Sequence, residues 1–194
     1  MRPLIAVWPY ALVFWIAFLW AFVPEWRVVS RQDTRVRSAQ DAGSKHVIVF
    51  GQALASAVGF YAAFAIPSAA LPFHTLCFWI GVPTIVAGSL LRRHCFRMLG
   101  ASFTGAVIVR PDQIVVERGA YRYVRHPSYT AGVIMFVGVG LALGNWISLV
   151  VLVGGMTATY AYRVRVEERA LLATIGEPYR AYTRRTKRFI PRLF

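Results

Sequence analysis

Five long apolar stretches, each free of lysine, arginine, aspartate and glutamate, dominate the chain. They cover residues 4–23, 47–70, 74–91, 128–144 and 146–162. Each is close to the roughly 17–25 residues that an α-helix needs to cross the hydrocarbon core of a bilayer. Because lipid cannot hydrogen-bond free backbone groups, such stretches must be helical inside a membrane. The sequence therefore predicts an all-α integral membrane protein with about five transmembrane helices.

The positive charges lie between these stretches. The chain has 22 Lys and Arg residues against 8 Asp and Glu residues, a formal net charge of +14. One basic residue precedes the first stretch, five lie in 27–46, seven in 92–126 and nine from Arg163 onward. Five crossings place all of them except Arg2 on one face, whereas four or six crossings would divide the groups. The positive-inside rule then predicts an outside N-terminus and a cytoplasmic C-terminus, in an inner or plasma membrane.

The same distribution bears on the binding partners of the chain. Basic residues that flank apolar helices predict contact with the bilayer and its anionic lipid headgroups, and no nucleic acid. Cys77 and Cys95 would be separated by roughly 27 Å if the residues between them are helical, which is beyond disulfide reach. The four histidines are scattered and no CxxC pair is present. The sequence therefore predicts neither a disulfide nor a metal site.

Short turns join the second stretch to the third and the fourth to the fifth. They predict two helical hairpins plus one N-terminal span, in a single domain over residues 1–194. Small residues recur in the last two stretches, and they predict close helix packing rather than ligand contact. They are Gly132, Gly138, Gly140, Gly144, Gly154 and Gly155.

The segment 103–127 lacks the pattern of a helix. Its central part alternates β-branched and polar residues, with breakers at Pro111 and Gly119, which predicts a short extended loop at the membrane surface. Pro127 holds the residue before it out of helical geometry and suits the first turn of the fourth helix. We therefore expect Arg125 and His126 at a helix entrance, where free N–H groups attract anions.

The fifth helix is predicted to leave the membrane and continue into a cytoplasmic C-terminal helix and tail over 163–194. Arg163 and Glu167 lie one turn apart and can pair. Glu168 points roughly 100° away from Glu167, at what we expect to be a wet helix end. A solvated helix end with intrahelical ion pairs explains this spacing more simply than a site does. The tail itself fits either an amphipathic headgroup-binding surface or a lid over the loop.

Four elements follow one another in the second half of the chain. They are GAYRYVRHPSYTAG at 119–132, a hairpin of two apolar stretches with an Asn-Trp turn, RVRVEERALL at 163–172, and GEPYRAY at 176–182 followed by a late arginine and a proline. In this order and spacing they resemble the isoprenylcysteine carboxyl methyltransferase family, a family of membrane enzymes. The resemblance covers roughly residues 96–194, and the first half is similar only in its hydropathy.

The resemblance implies S-adenosyl-L-methionine (SAM) as methyl donor and a hydrophobic or lipid-like acceptor, in its narrowest form the carboxylate of a prenylated cysteine. It makes 103–127 a cofactor loop on the cytoplasmic side. The implied SAM-binding candidates are Gln113, Val116, Gly119, Tyr121, Arg125, His126, Tyr129 and Glu168. Gln113 stands where many relatives have histidine.

Arg163 and Glu167 become candidates for orienting the acceptor. Arg163 could hold a carboxylate by a bidentate contact, and Glu167 could accept a proton from an amine. Methyl transfer from a sulfonium needs no metal and no covalent enzyme nucleophile, so the protein mainly aligns the reactants and excludes water. At a wet helix end, Glu168→Gln would weaken donor binding without unfolding the protein.

Other functions stay open from the residues alone. NADPH-dependent membrane sterol and enone reductases are similar in their last two spans and in an RHP-like sequence, but they are usually longer. Phospholipid and small-thiol methyltransferases share closely similar motifs. A non-catalytic membrane scaffold would bind no small ligand at all.

Overall fold

The computed structural model of the chain describes residues 2–31, 39–103 and 105–190, without the side chains at 26–31, 39 and 101. Its helices are α1 (Tyr10–Arg31), α2 (Ser44–Ala65), α3 (His74–Leu99), α4 (Pro127–Leu143), α5 (Trp146–Thr174) and α6 (Glu177–Arg185). The described residues contain no β-strand. The predicted all-α membrane fold is confirmed. The helices α2, α3 and α5 are long and apolar enough to cross a membrane, while α4 and the described part of α1 are shorter apolar helices. The number of five crossings stays a prediction.

The helix bounds differ from the predicted spans at several ends. The first helix begins at Tyr10 rather than residue 4, because Leu4–Ala6 forms a separate 3-10 turn and Pro9 precedes the helix. Proline lacks the N–H that a helix start leaves free, so a helix readily begins beside it. The second helix ends at Ala65 rather than residue 70, because Pro67 begins a separate 3-10 turn at Pro67–Ala69. Both α3 and α5 continue well past their apolar stretches, since backbone hydrogen bonding does not stop where hydropathy falls.

The packing of the helices corrects one prediction. The most extensive contacts join α3 to α4 and α2 to α5, followed by α4 with α5 and α1 with α3. The predicted α4–α5 hairpin is confirmed. Among the described helices, however, α2 does not pack along α3 despite the short turn between them. The main contacts therefore follow the order α1, α3, α4, α5, α2, and the Phe60 ring of α2 also lies 6.3 Å from the ring of Phe14 on α1.

The positions of the glycines explain which helices pack together. Small residues let two helices approach closely in a membrane. A Cβ built on Gly138 would lie 2.6 Å from the backbone N of Ile85 and 2.7 Å from the carbonyl oxygen of Gly81, so α3 and α4 touch backbone to backbone. On the other side, a Cβ on Gly59 of α2 would lie 2.8 Å from Leu152 of α5. The glycine faces of α2 and α3 thus fit different neighbours.

We expect Gly138→Ala to lower the stability of the protein by about 1–3 kcal/mol, because the added methyl group meets backbone that cannot move aside. Gly154→Ala is the matched control, since a Cβ there meets nothing within 4 Å and alanine favours helix more than glycine does. Thermal unfolding in detergent measures the difference. Equal Tm values for the two variants would contradict the close α3–α4 contact.

The polar loop and α6 lie at one end of the bundle, where α3 ends, α4 begins and α5 emerges. The predicted helix entrance is confirmed: His126 is the N-cap residue of α4, with φ −127° and ψ 52°, and Pro127 occupies the first turn. The loop is irregular except for a 3-10 turn at Gly119–Arg122. This end of the bundle holds the residues that the sequence singled out.

Candidate active site

A cleft lies at this end of the bundle. Its volume is about 1200 Å³, including the space that opens to solvent. The segment 105–116, called the roof loop below, covers one side of it, and α6 covers another. Eight of the ten predicted site residues line the cleft: Gln113, Val116, Tyr121, Arg125, His126, Tyr129, Arg163 and Glu167. Among the described lining residues, Gly119 and Glu168 are missing. The structure thus gathers residues from 113 to 167 in one place, while their roles stay predictions.

Gly119 lies against α3 rather than in the cleft. Its φ is +60°, and a Cβ there would lie 3.1 Å from Nε2 of His94. Glycine adopts this left-handed conformation without steric cost. The structure therefore explains Gly119 by the turn it makes and by its close contact with α3.

Glu168 is buried behind the cleft, with 7% of its surface exposed. Its Oε1 accepts hydrogen bonds from Nε of Arg125 at 3.0 Å and from Nε2 of His126 at 3.2 Å. Its Oε2 accepts from Nε of Arg188 at 3.0 Å. The prediction of a wet helix end is wrong, because α6 and the residues after it fold back over α5. Glu168 holds two cleft residues in place from behind.

The residues after α6, 186–190, are called the tail and are paired with the start of α4. The backbone N–H groups of Arg125 and His126 donate to the carbonyl oxygens of Lys187 and Arg188 at 2.8 and 3.0 Å. The Tyr182 hydroxyl of α6 donates to the carbonyl oxygen of Tyr121 at 2.6 Å. These contacts favour the lid over a free headgroup-binding segment. The proline that ends the sequence motif, at position 191, lies outside the described residues.

Tyr129 stands between the two predicted acceptor-orienting residues. Its hydroxyl donates to Oε2 of Glu167 at 2.7 Å and accepts from Nε of Arg163 at 3.3 Å. Between Arg163 and Glu167, both described, there is no direct ion pair, so the predicted pairing is replaced by this tyrosine bridge. The Oε1 atom of Glu167 makes no hydrogen bond within the described residues. It is available to a ligand in the cleft.

Arg163 is buried and extensively bonded. Its Nη1 donates to Oδ1 of Asp41 at 2.6 Å and to Oγ of Ser44 at 2.7 Å. Its Nη2 donates to the carbonyl oxygen of Gly105 at 3.0 Å. Together with the bond to Tyr129, four of the five guanidinium N–H groups have partners. A bidentate grip on an acceptor carboxylate would require one of these bonds to break, whereas a single contact would not.

Sequence reasoning missed several charged and polar residues at this site. Asp41 and Ser44 reach Arg163 from the segment before α2, and Arg188 reaches Glu168 from the tail. Arg92 of α3 lines the cleft, pairs with Glu25 of α1 and donates to the carbonyl oxygen of Ser128 at 2.6 Å. One signal was present for Asp41, which is one of only 8 acidic residues and lies beside an apolar stretch.

Two of the tyrosines that line the cleft have buried hydroxyl groups. The Tyr121 and Tyr179 side chains are 5% and 3% exposed, and neither hydroxyl has a well-formed hydrogen bond within the described residues. Ser128 lies near the Tyr121 hydroxyl without forming an aligned bond. Burial raises the pKa of both phenols, so they are neutral donors at pH 7. A buried hydroxyl without a partner costs about 1–3 kcal/mol, which a bound polar group would recover.

The cleft also has an apolar wall. Ile48 and Val49 of α2 and Phe96 and Leu99 of α3 line it. These two helices follow one another in sequence but do not pack along each other. The cleft therefore joins a polar side, built from the roof loop and α4 to α6, to an apolar side built from membrane helices.

Comparison with known proteins agrees with the family resemblance of the sequence motifs. The profile of the isoprenylcysteine carboxyl methyltransferase (ICMT) family matches residues 79–173. A protein-S-isoprenylcysteine O-methyltransferase of Schizosaccharomyces pombe is 31% identical over 106 residues, or 54% of this chain and 45% of that protein. Protein-S-isoprenylcysteine O-methyltransferase B of Arabidopsis thaliana is 31% identical over 118 residues, or 58% and 60% of the two chains. The match spans about half the length of these curated relatives.

The fold is similar to a solved structure of the eukaryotic intramembrane Ras methyltransferase ICMT. The TM-score is 0.66 at 22% sequence identity, and the superposition covers 99% of this chain and 68% of that one. The likeness therefore extends into the first half of the chain, where the sequence motifs gave only a similar hydropathy.

Proposed function

We propose that the chain is a member of the isoprenylcysteine carboxyl methyltransferase family, which it resembles over residues 79–173, and that it is an integral membrane methyltransferase that uses SAM. The observation that carries the proposal is the single cleft shared by residues 121–129, the emerging end of α5 and the roof loop. It offers polar groups for a charged nucleoside and an apolar wall for a lipid-like acceptor.

The polar side of the cleft suits SAM. SAM supplies a methyl group activated on a cationic sulfur, together with an ammonium, a carboxylate and an aromatic base. Arg125 and the N-terminus of α4 complement a carboxylate, and the Oε1 atom of Glu167 complements a cation. The unpartnered hydroxyls of Tyr121 and Tyr179 supply further hydrogen bonds, and their rings supply flat apolar surface.

The apolar wall suits an acceptor that arrives from the bilayer. Since α2 and α3 do not pack along each other, Ile48, Val49, Phe96 and Leu99 present an apolar surface to the cleft between the two helices. We propose that the hydrophobic part of the acceptor lies there, with its reactive group toward Tyr129. A prenylated cysteine combines both features, as the names of the curated relatives suggest.

In this arrangement the residues of the chain hold and orient the donor and the acceptor, and they form no covalent bond with either. Arg163 can direct its one remaining N–H to an acceptor oxygen while Asp41, Ser44 and Gly105 keep the guanidinium fixed. A carboxylate acceptor attacks without losing a proton, so Glu167 need not act as a base toward it. Holding the two reactants in place and excluding water can raise the reaction rate by several orders of magnitude.

We further propose that the C-terminus and the cleft face the cytoplasm. The side chains of Arg180 and Arg184 on α6 are 60% and 69% exposed. They lie beside the membrane end of the bundle and are available to anionic headgroups, with the N-terminus on the outer side.

Labelling of the acceptor tests the proposed function. Membranes that contain the protein are incubated with radiolabelled SAM and a prenylcysteine analogue, and the products are separated into protein, lipid and volatile fractions. We expect label in a base-labile methyl ester of the analogue. Label only in phospholipid headgroups would contradict the acceptor, and tight NADPH binding without any response to SAM would contradict the enzyme class.

A further inference from the structure

Asp41 is a buried acid that belongs to none of the motifs of the second half. It ends the 3-10 turn Ala39–Asp41 before α2 and is 7% exposed. It lies outside residues 79–173, over which the family profile matches. Nevertheless, it reaches the site, because its Oδ1 accepts from Nη1 of Arg163 at 2.6 Å.

The carboxylate of Asp41 connects three parts of the fold. Besides the bond from Arg163 of α5, Oδ1 accepts from the backbone N–H of Val107 in the roof loop at 2.8 Å. It also accepts from Oγ of Ser44 at 2.9 Å, and Oδ2 accepts from the backbone N–H of Lys45 at 3.1 Å, both at the start of α2. Three of these four bonds end on Oδ1 and one on Oδ2, so donors from α5, the roof loop and the start of α2 converge on one carboxylate.

The charge state of Asp41 fits this role. Burial alone raises the pKa of its carboxyl, but the bonds from Val107, Lys45 and Ser44 and the charge of Arg163 together hold it below its ordinary value. Asp41 is therefore ionised at neutral pH, and it balances the charge of Arg163 inside the protein.

The residue before Asp41 makes a second tie to the roof loop. The side-chain oxygen of Gln40 accepts from the backbone N–H of Val109 at 2.9 Å. Val107 and Val109 are 3% and 7% exposed and pack against Val166 of α5. The roof loop is thus held at alternate residues by the segment before α2, and at Gly105 by Arg163.

We propose that Asp41 is a positioning residue of the methyl-transfer site, which fixes Arg163 and the roof loop so that the N-terminal half of the chain completes the cleft. The inference rests on the proposed function. Without the charge of Asp41, Arg163 loses its anionic partner and can turn to Glu167, one helical turn away. That pairing would occupy the free oxygen of Glu167 and move the guanidinium away from the acceptor.

The test compares turnover with donor affinity in Asp41→Asn. Because Asn keeps the shape and removes the charge, we expect turnover at saturating SAM to fall by about 10²-fold, the loss expected from a reactant misplaced by about 1 Å. The dissociation constant of SAM should change far less, since the amide oxygen of Asn can still accept from Val107 of the roof loop and Arg125, His126 and Tyr121 are untouched. A purely structural role would lower turnover, the affinity for SAM and Tm together.

Two further variants test whether the loss of turnover is specific to Asp41 and acts through Arg163. If Asp41 acts through Arg163, the double variant Asp41→Asn/Arg163→Met should lose no more turnover than Arg163→Met alone, because methionine cannot pair with Asp41. Asp112→Asn is the matched control, because that side chain is 83% exposed and does not line the cleft. Multiplicative losses in the double variant, or wild-type turnover in Asp41→Asn, would overturn the inference.

Should Asp41→Asn fail to fold, Asp41→Glu decides the question. It keeps the charge and displaces the carboxylate by one methylene group, so we expect lowered turnover with donor affinity retained; wild-type turnover would overturn the inference. The proposed function fails separately, through absence of SAM binding or methyl transfer in the wild-type protein.

Discussion

Glu168→Gln is expected to weaken SAM binding by at least about tenfold and to lower Tm. The substitution keeps the size of the side chain but removes the one negative charge that faces Arg125, His126 and Arg188. Breaking a buried ion pair by removal of one partner costs about 3–5 kcal/mol, and tenfold in affinity corresponds to about 1.4 kcal/mol. Two of the released residues, Arg125 and His126, line the cleft, so a loss of that size is sufficient to disturb the ligand. Equilibrium binding and thermal unfolding of the purified protein in detergent measure the two effects.

Glu177→Gln is the control for this experiment. Its side chain is 62% exposed and its distances to Arg180 and Arg184 are both 3.6 Å, so solvent screens the pairs and they contribute little. We expect unchanged SAM affinity and Tm. Wild-type values of both quantities in Glu168→Gln would contradict the role of the buried carboxylate. The solvated position predicted from the sequence implied no loss of stability, whereas the buried position implies one.

Arg163→Lys is expected to reduce methyl transfer by about 10²-fold or more while the protein still binds SAM. Lysine keeps the positive charge opposite Asp41, but an ammonium on a flexible stem cannot reproduce the planar fork. It cannot contact Tyr129, Ser44 and Gly105 in the observed directions. The acceptor would then be held loosely, and a misplacement of about 1 Å costs about 10²-fold in rate. Turnover at saturating SAM and saturating acceptor measures the effect.

Arg165→Lys is the matched control on the same helix. Arg165 is exposed, so the substitution should leave turnover unchanged. Wild-type turnover in Arg163→Lys, in a protein with normal donor affinity, would show that the geometry of the guanidinium does not matter to the reaction.

Much of the fold could be predicted because membranes impose strong local rules. Charge-free stretches locate the helices, and the His126-Pro127 step locates the start of α4 by the geometry of proline alone. The ends of α3 and α5 could not be predicted from hydropathy, since both continue as polar helices beyond the apolar stretch. Hydropathy marks the edge of the membrane, whereas hydrogen bonding and capping decide where a helix ends.

Helix pairing could not be predicted either. A short turn suggested that α2 packs on α3, yet the pairing depends on which faces carry glycine. Gly81 of α3 fits Gly138 of α4, and Gly59 of α2 fits Leu152 of α5. Such matches between faces distant in sequence are not visible in a periodic pattern, because every apolar face in lipid looks alike.

At the candidate site, the residue types could be predicted and their partners could not. Arg163, Glu167 and Glu168 became candidates through the family resemblance, since their spacing alone favoured a solvated helix end. Helical spacing suggested that Arg163 pairs with Glu167. The guanidinium pairs instead with Asp41, which is distant in sequence. Burial of Glu168 likewise depends on the tail, whose path over α5 has no signature in the residues around Glu168.

Saturable binding of radiolabelled SAM to the purified wild-type protein, in the presence of excess NADPH, tests the central claim most directly. If the cleft between the roof loop, the start of α4 and the end of α5 holds the methyl donor, binding should be stoichiometric and displaced by S-adenosylhomocysteine but not by NADPH. A correctly folded protein that binds no SAM, or that releases it to NADPH, would contradict the account.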